Sequence, residues 1–392
     1  AFINSNRGFR AVPSDIQDIR DYRRYRAYIQ NNFRIAERLF VEPGIRLDYY
    51  DILQKPYFAP RISMSYGLDN LTTFRALWGI YYQSPGYEKL RDANILFDLS
   101  PQYTNKLNAE KAAHYVISLE RWLNAEWRAR IEGYYKNFQN LIVQKKVEGT
   151  GYFTEPVPGK DPHYTDAWTR PIPVSADSIT QIPVNNSNGE AYGFEFLLEK
   201  RNIAGLNVLS GWISYALAYA NRYEDQFTIP FRFDQRHTVN VVMNYMASSW
   251  LNIGLRWQFG SGFPYTKPKG IKPRITLEDS NLDGKPESAQ IASRLTFANN
   301  NARPEVIYNI DYGPDANRFD AYKPDYHRLD IRLTAYTGFW GLDWSFYIDV
   351  INVYNRKNVI NFNYFITEDL TIDKRTTTSL PIIPTFGFSV KF

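Results

Sequence analysis

Cysteine is absent from this sequence of 392 residues, which excludes disulfide scaffolds, thiol catalysis and cysteine-ligated zinc. Long hydrophobic runs are absent too: charged residues interrupt every apolar stretch before it reaches the roughly 18 residues of a transmembrane helix. The start, Ala1 to Asn4, has no charged segment followed by an apolar one, so no signal peptide is visible. We therefore expect a chain that begins after processing or within a longer protein, and any membrane span to consist of β-strands.

Charge of one sign does not accumulate anywhere in the chain. The 46 basic and 41 acidic residues alternate and leave a net charge of +5, so no nucleic-acid partner is expected. The motifs of metalloproteases, serine hydrolases, P-loop proteins and dinucleotide-binding proteins do not occur. His163, near Asp161 and Asp166, is the histidine best placed for a general base or a metal ligand, and we expect it to be solvated instead. The sequence thus predicts no enzyme.

Aromatic residues, in contrast, are abundant. There are 30 Tyr, 25 Phe and 9 Trp, together 16% of the chain. A soluble core rarely needs so many Tyr and Trp, whereas a barrel surrounded by lipid uses them as anchors at both membrane interfaces. This composition points to a membrane surface.

Apolar and polar residues alternate with a period of two along many segments, as in strands with one apolar and one polar face. The clearest case predicts that Leu251, Ile253, Leu255, Trp257 and Phe259 point one way, toward lipid. Arg256 and Gln258 point the other way. A soluble β-sandwich shows the same alternation, so the lengths of the connections must separate it from a barrel.

Those connections alternate between tight turns, such as Asn124-Ala125, and long loops near 86–110, 147–188 and 264–326. Short turns on one rim and long loops on the other are typical of transmembrane barrels, whose outer rim carries function. We therefore predict an all-β fold in which residues 1–392 form a single unit, part of a transmembrane antiparallel β-barrel. About 13 strands are predicted, near residues 20–34, 37–51, 57–67, 72–85, 111–124, 126–146, 189–201, 205–221, 235–247, 249–263, 327–338, 341–355 and 382–392.

The odd strand count has a consequence for closure. A bacterial single-chain barrel has an even number of strands, because both chain ends lie on the periplasmic side. We therefore expect an incomplete barrel, an open sheet whose edges near 20–34 and 382–392 do not pair with each other.

Several segments resemble the barrels of TonB-dependent receptors, in particular the non-SusC type common in Bacteroidota. They are Phe233–His237 (FDQRH), Gly260–Tyr265 (GSGFPY), Tyr326–Arg332 (YHRLDIR), Asp349–Asn355 (DVINVYN) and the final stretch Leu380–Phe392. The resemblance implies the carboxy-terminal part of a barrel of about 22 strands, preceded by about nine strands, a plug domain and a TonB-contacting segment. It also implies a bacterial outer-membrane location.

Candidate ligand contacts come from the loop at 147–188, because exposed aromatic residues on an outer loop need a reason. They are Tyr152, Phe153, Tyr164 and Trp168, although packing of the loop onto itself is an equal alternative. Charged residues on the polar faces of the strands are expected to line the lumen, where they pair across strands, bind the plug or contact a passing ligand. They are Arg128, Arg130, Glu132, Arg256, Arg328, Asp330 and Arg332.

Two further motifs concern assembly and metal binding. Phe388, Val390 and Phe392 share one face of the last strand and resemble the signal that the outer-membrane insertion machinery recognises. A second motif has the spacing that begins a calcium loop, but Gln290 stands where the bidentate carboxylate would be. Its members are Asp279, Asn281, Asp283, Gly284 and Glu287. A solvated turn is the preferred interpretation, so no cofactor is expected.

The predicted function is import of a scarce nutrient through a plug-gated barrel, energised by the TonB complex through the missing amino-terminal part. A passive porin-like channel, a barrel enzyme and a scaffold that docks a surface partner stay open as alternatives. Membrane lipid, the insertion machinery and an unknown nutrient are the expected partners. A surface lipoprotein is an open one, and the sequence does not reveal the substrate.

Overall fold

The structure is a computed structural model that describes residues 23–85, 97–203, 208–278, 288–298 and 301–391. It consists almost entirely of antiparallel strands. The strands up to the longest connection are β1 (Arg24–Gln30), β2 (Phe33–Ala36), β3 (Leu39–Tyr50), β4 (Lys55–Gly67), β5 (Thr72–Gln83), β6 (Glu110–Trp122), β7 (Trp127–Phe153), β8 (Ile172–Lys200), β9 (Leu209–Glu224), β10 (Phe227–Pro230), β11 (His237–Ser248) and β12 (Leu251–Gly260). The short helix α1 (Pro101–Thr104) lies between β5 and β6.

Short hairpin strands follow within the longest connection. They are β13 (Pro264–Tyr265), β14 (Gly270–Pro273), β15 (Ile275–Glu278), β16 (Ser288–Ile291), β17 (Ser293–Ala298), β18 (Asn301–Val306), β19 (Tyr308–Asp311) and β20 (Ala321–Tyr322). The chain then returns to the large sheet and adds one more hairpin outside it. These strands are β21 (Tyr326–Phe339), β22 (Leu342–Ile351), β23 (Val359–Ile366), β24 (Ile372–Thr378) and β25 (Ile383–Lys391).

Thirteen strands of the large sheet follow one another in chain order, from β1 through β3 to β9, then β11, β12, β21, β22 and β25. Strand β2 extends the pairing of β3, and β10 that of β9. Within the described part of the chain, β1 and β25 each pair with one neighbour and not with each other. The prediction of an open sheet with about 13 strands is therefore confirmed.

The connections separate two rims. One rim, the short-turn rim, has turns at 37–38, 68–71, 123–126, 249–250 and 340–341. The opposite rim, the long-loop rim, has the connections 84–109, 154–171, 225–236, 261–325 and 352–382, joined by one short turn at 51–54. The predicted sorting of turn lengths is thus present.

Strands β7 and β8 are longer than the sequence predicts. The expected bounds are 126–146 and 189–201, whereas both strands continue as a two-stranded ribbon and leave only 154–171 as a connection. The prolines Pro173 and Pro183 favour a loop in the sequence. They are tolerated because residues 172–186 pair only with β7. The other edge of residues 172–186 has no partner strand, so no backbone N–H is needed there for pairing.

The buried core is small and lies at the long-loop rim. Tyr50 and Leu53 are fully buried there against Phe97, Leu99 and Leu107 from the connection between β5 and β6. The predicted loop 86–110 is therefore packed onto the sheet where it is described, at 97–109. The predicted loop 264–326 likewise folds into hairpins where it is described, because short segments of it pair with one another as antiparallel strands.

Candidate functional site

One face of the large sheet, here called the apolar face, collects the aromatic and aliphatic side chains of neighbouring strands. Residues opposite each other in register share a face, so Leu255 lies between Met243 and Ile331. Toward the last strand, Ile348 opposes Phe386, which is 90% exposed. An exposed apolar surface of this extent is not stable in water and fits contact with lipid. No helix in the described ranges is long and apolar enough to cross a membrane.

The opposite face, here called the polar face, carries charged side chains that pair across strands. The guanidinium of Arg128 lies 3.3 Å from a carboxylate oxygen of Glu120 and donates from Nε to Glu199 at 2.8 Å. Two more residues of β7, Arg130 and Glu132, share this face. They form no ion pair with any described residue. The charges on the polar face are thus only partly neutralised by ion pairs.

The predicted lumen-facing residues near the end of the chain lie on the same polar face. Arg328 pairs with Asp330 at 2.8 Å, and Arg332 pairs with Asp349 on β22. Arg256 stands opposite Asp330 in register without an ion pair within the described ranges. Arg128 and Arg332 pair across strands, whereas Arg328 and Asp330 pair within one strand.

A cavity of about 860 Å³ opens on the polar face close to the long-loop rim. Its floor is formed by strands β5 to β9, and residues 229–233 and 318–319 fold over it as walls. Aromatic rings pack within it: Tyr81 and His114 lie 4.5 Å apart between ring centroids, and Phe231 meets Phe138 edge to face at 6.0 Å. The cavity therefore has an apolar lining on a polar face.

Charged groups hold the walls of this cavity in place. A carboxylate oxygen of Glu224 lies 2.9 Å from Arg222 Nε, and Glu224 also pairs with Arg318 from the distant wall. Lys146 bridges Asp225 and Asp315 at 2.8 and 2.7 Å, which fixes the same wall to β7. These ion pairs attach the walls to the strands that form the floor.

Sequence reasoning missed these residues. The connection between β9 and β11 alternates aromatic and basic side chains, Phe231, Arg232 and Phe233, and this was the available signal. The residues converge only because two loops fold inward over the sheet, and spacing along the chain does not encode that.

The four loop aromatics predicted as ligand contacts are not brought together. Tyr164 has the Arg303 guanidinium over its ring at 3.6 Å. Trp168 packs edge to face on Tyr308 and donates to its hydroxyl at 3.1 Å. Tyr152 and Phe153 lie instead at the end of β7. Packing against the neighbouring loop 288–311 therefore occupies Tyr164 and Trp168, and a ligand contact by any of the four stays a prediction.

His163 joins two loops of the long-loop rim. Its Nδ1 lies 2.7 Å from Asp161, and its Nε2 lies 2.8 Å from the carbonyl oxygen of Glu368 in the β23–β24 hairpin. The Glu368 carbonyl and then the Asp161 carboxylate raise the pKa of His163, because both favour the protonated ring. The bond from His163 also lowers the pKa of Asp161.

We expect the contact between these loops to depend on pH. A raised histidine pKa stabilises the contact fully below the ordinary value of 6.5, and the contribution is lost as pH rises through the raised pKa. The lowered pKa of Asp161 gives a second stabilising contribution, which is fully present above the ordinary value of 3.8 and is lost as pH falls through the lowered pKa. A fluorophore on Asp369→Cys should therefore report loosening of the hairpin from mildly acidic to alkaline pH. The His163→Gln variant should show no such transition, and identical profiles would contradict the link.

The remaining candidates are placed only in part. Phe388 lies on the apolar face against Phe346, and Val390 opposes Trp344. Phe392 lies outside the described residues, as does the whole calcium-like segment, residues 279–287. Among the residues that are described, no group of three or more metal-ligating side chains occurs.

Comparison with known proteins agrees with a membrane β-barrel. Residues 2–353 match the family model described as TonB dependent receptor-like, beta-barrel. The fold is similar to the ferric-catecholate import receptor Fiu of Escherichia coli K12, at 12% identity and a TM-score of 0.55, over 93% of this chain and 44% of that chain. A search among curated proteins finds no match.

Two further solved structures share the fold. The siderophore receptor PirA of Acinetobacter baumannii is 13% identical with a TM-score of 0.53, over 86% of this chain and 42% of that chain. The outer membrane transporter YddB of Escherichia coli is 11% identical with a TM-score of 0.51, over 94% of this chain and 44% of that chain. The present chain thus spans less than half the length of each of these structures.

Proposed function

Because this chain belongs to the family of TonB-dependent receptor β-barrels, we propose that it takes part in active import of a scarce nutrient across the bacterial outer membrane. The observation that carries the proposal is the two-faced open sheet. Its apolar face suits lipid, and its polar face suits an aqueous lumen. Among the described residues, β1 and β25 each have one edge without a partner strand, and such an edge is not stable in lipid, so we infer that further strands complete the barrel.

In this function each part of the chain has a role. The connections of the long-loop rim capture the nutrient outside the cell, and the polar face lines its path. A plug domain gates that path, and the TonB complex supplies the energy. The chain itself catalyses no reaction and needs no cofactor. Phe388 and Val390 contribute to recognition by the insertion machinery during assembly.

The neighbours in structure suggest which nutrients to test first. Fiu is described as a ferric-catecholate import receptor and PirA as a siderophore receptor. Iron chelates are therefore the first substrates to supply, followed by other scarce nutrients too large for passive diffusion.

Uptake measured in cells tests the function. A strain producing the intact receptor is supplied with radiolabelled iron chelates, with and without a functional TonB. We expect uptake to fall without TonB to the level of a strain that lacks the receptor. Uptake that persists without TonB would favour a passive channel. If the strain that lacks the receptor takes up every substrate as fast as the strain that produces it, a docking scaffold would be favoured.

A further inference from the structure

We propose that the apolar face carries a site, centred on Glu190, for the neutral sugar headgroup of a glycolipid in the outer leaflet of the membrane. The site goes beyond the import function, because it faces lipid and not the lumen. Glu190 belongs to β8, and its neighbours in register are Asn137 on β7 and Asn221 on β9. A carboxylate between two amides stands out on a face that otherwise collects aromatic and aliphatic side chains.

The position of Glu190 along β8 places it at the outer membrane interface. Side chains alternate along a strand, so every second residue of β8 shares one face. On the apolar face these residues are Glu190, Tyr192, Phe194, Phe196, Leu198 and Lys200. The stretch from Glu190 to Lys200 matches the roughly 9 to 11 residues of a strand that crosses a membrane. Lys200 is at the short-turn rim, so Glu190 lies at the opposite interface, on the side of the long loops.

A row of aromatic side chains marks the level of this interface. Its members stand opposite one another in register across β5 to β9 and are Trp78, Tyr115, Tyr135, Tyr192 and Tyr219. The rings of Tyr192 and Tyr219 stack, with centroids 5.4 Å apart. Such rows lie where acyl chains meet headgroups. Glu190 is the next residue on this face toward the long-loop rim, so it lies at the level of the headgroups.

The carboxylate of Glu190 is held in place without being neutralised. The hydroxyls of Tyr135 and Tyr223 donate to its two oxygens, at 3.2 and 2.5 Å. Glu190 forms no ion pair with a basic residue in the part of the chain that the structure describes. A carboxylate has about four acceptor positions, so about two are left for a ligand. Its charge disfavours a phosphate and favours a group with several hydroxyl donors.

The two amides beside Glu190 favour a sugar over an ammonium headgroup. The side chains of Asn137 and Asn221 form no hydrogen bond within the described ranges. Each amide both donates and accepts, as does each hydroxyl of a sugar, whereas an ammonium group only donates. The exposed ring of Tyr192 also offers an apolar surface to the C–H groups of a sugar. A neutral sugar therefore matches the donors, the acceptors and the charge of the site.

The acyl chains of the same lipid have a surface directly below the site. Phe194 and Phe196 follow Tyr192 on the apolar face, and both are exposed. A headgroup that is tethered to bound acyl chains is held at a high effective concentration beside Glu190. The site therefore suits a glycolipid and not a free sugar.

Native mass spectrometry of the intact receptor in detergent tests the site with three probes. The first is digalactosyl diacylglycerol. The second is phosphatidylethanolamine with the same acyl chains, which carries an ammonium and a phosphate instead of the sugar. The third is the free digalactoside without chains. We expect the glycolipid to bind at least about tenfold more tightly than either of the others, since each lacks one of the two sets of contacts.

Two matched variants assign the binding to this site. Glu190→Gln should weaken glycolipid binding about tenfold, because a charged acceptor becomes a neutral one. Glu195→Gln is in the same strand but on the polar face, opposite Glu132, and should leave the binding unchanged. The comparison of the three probes needs only the unaltered receptor, so it decides the matter even if Glu190→Gln fails to assemble.

Three results would overturn the proposal: phosphatidylethanolamine bound as tightly as the glycolipid, the free digalactoside bound as tightly as the glycolipid, or equal glycolipid affinity of Glu190→Gln and Glu195→Gln. These measurements do not involve transport. Glycolipid binding without TonB-dependent uptake would contradict the import function alone, whereas uptake without glycolipid binding would contradict this site alone.

Discussion

Leu255→Arg is expected to reduce the yield of assembled protein far below that of Gln258→Ala. Leu255 lies in the middle of β12 on the apolar face, between Met243 and Ile331. An arginine that faces lipid near mid-membrane costs about 2 to 4 kcal/mol. Gln258 lies on the polar face, where a shorter side chain still meets water. Heat-modifiable mobility of the outer-membrane fraction measures the assembled form.

The comparison is controlled by position, because both residues belong to one strand. A further control, Leu255→Phe, keeps an apolar side chain on the lipid face and should assemble nearly normally. Equal yields of Leu255→Arg and Gln258→Ala would show that the two faces are assigned the wrong way or that β12 does not cross the membrane.

Asn352→Leu is expected to destabilise the long-loop rim by about 3 to 4 kcal/mol. Asn352 is fully buried, and its φ of 56° is one that leucine adopts only with strain. Its side chain donates to the carbonyl oxygens of Arg356 and Leu380 at 3.1 Å and accepts from the Arg356 N–H at 3.0 Å. Leucine would leave all three groups without their partner. The urea unfolding midpoint of the intact receptor measures the loss.

The matched control is Asn363→Leu in the β23–β24 hairpin, since Asn363 is exposed. A substitution at an exposed site of this kind usually changes stability by no more than about 0.5 kcal/mol. Similar unfolding midpoints for the two variants would show that Asn352 does not hold the connection from 352 to 382.

The sheet could be predicted from the sequence because side chains along a strand alternate between its two faces, which gives apolar and polar residues a period of two. Strand β12 shows this: its alternation from Leu251 to Phe259 matches the faces that the register assigns. The rims could be predicted because turn residues and loop lengths are local. Even the odd number of strands in the described part of the sheet, and thus its open edges, could be predicted by counting.

The outward ribbon of β7 and β8 could not be predicted in the same way. Residues 172–186 contain prolines and polar residues, which favour a loop, and only the partner strand β7 makes them extended. Pairing between segments that are distant in sequence is a tertiary effect, and local propensity is a poor guide to it.

The candidate site was the least predictable part. Arg318 and Glu224 are 94 residues apart in the chain and meet only because a loop folds inward. Tyr164 and Trp168 drew attention as loop aromatics, and the structure packs both against another loop. Composition identifies residues that could bind, whereas the arrangement of loops decides which of them line a cavity.

The assignment of the two faces is the central claim, and the absence of cysteine allows a direct test. Single cysteines placed in turn along β12, from Leu251 to Gly260, are spin-labelled in the intact receptor in lipid vesicles. The account predicts that collision with oxygen, which dissolves in lipid, peaks at Ile253, Leu255 and Trp257. Collision with a water-soluble nickel chelate should peak at the positions between them. Collision rates without this alternation, or apolar-face positions as accessible to the nickel chelate as their neighbours, would contradict a strand that separates lipid from an aqueous lumen.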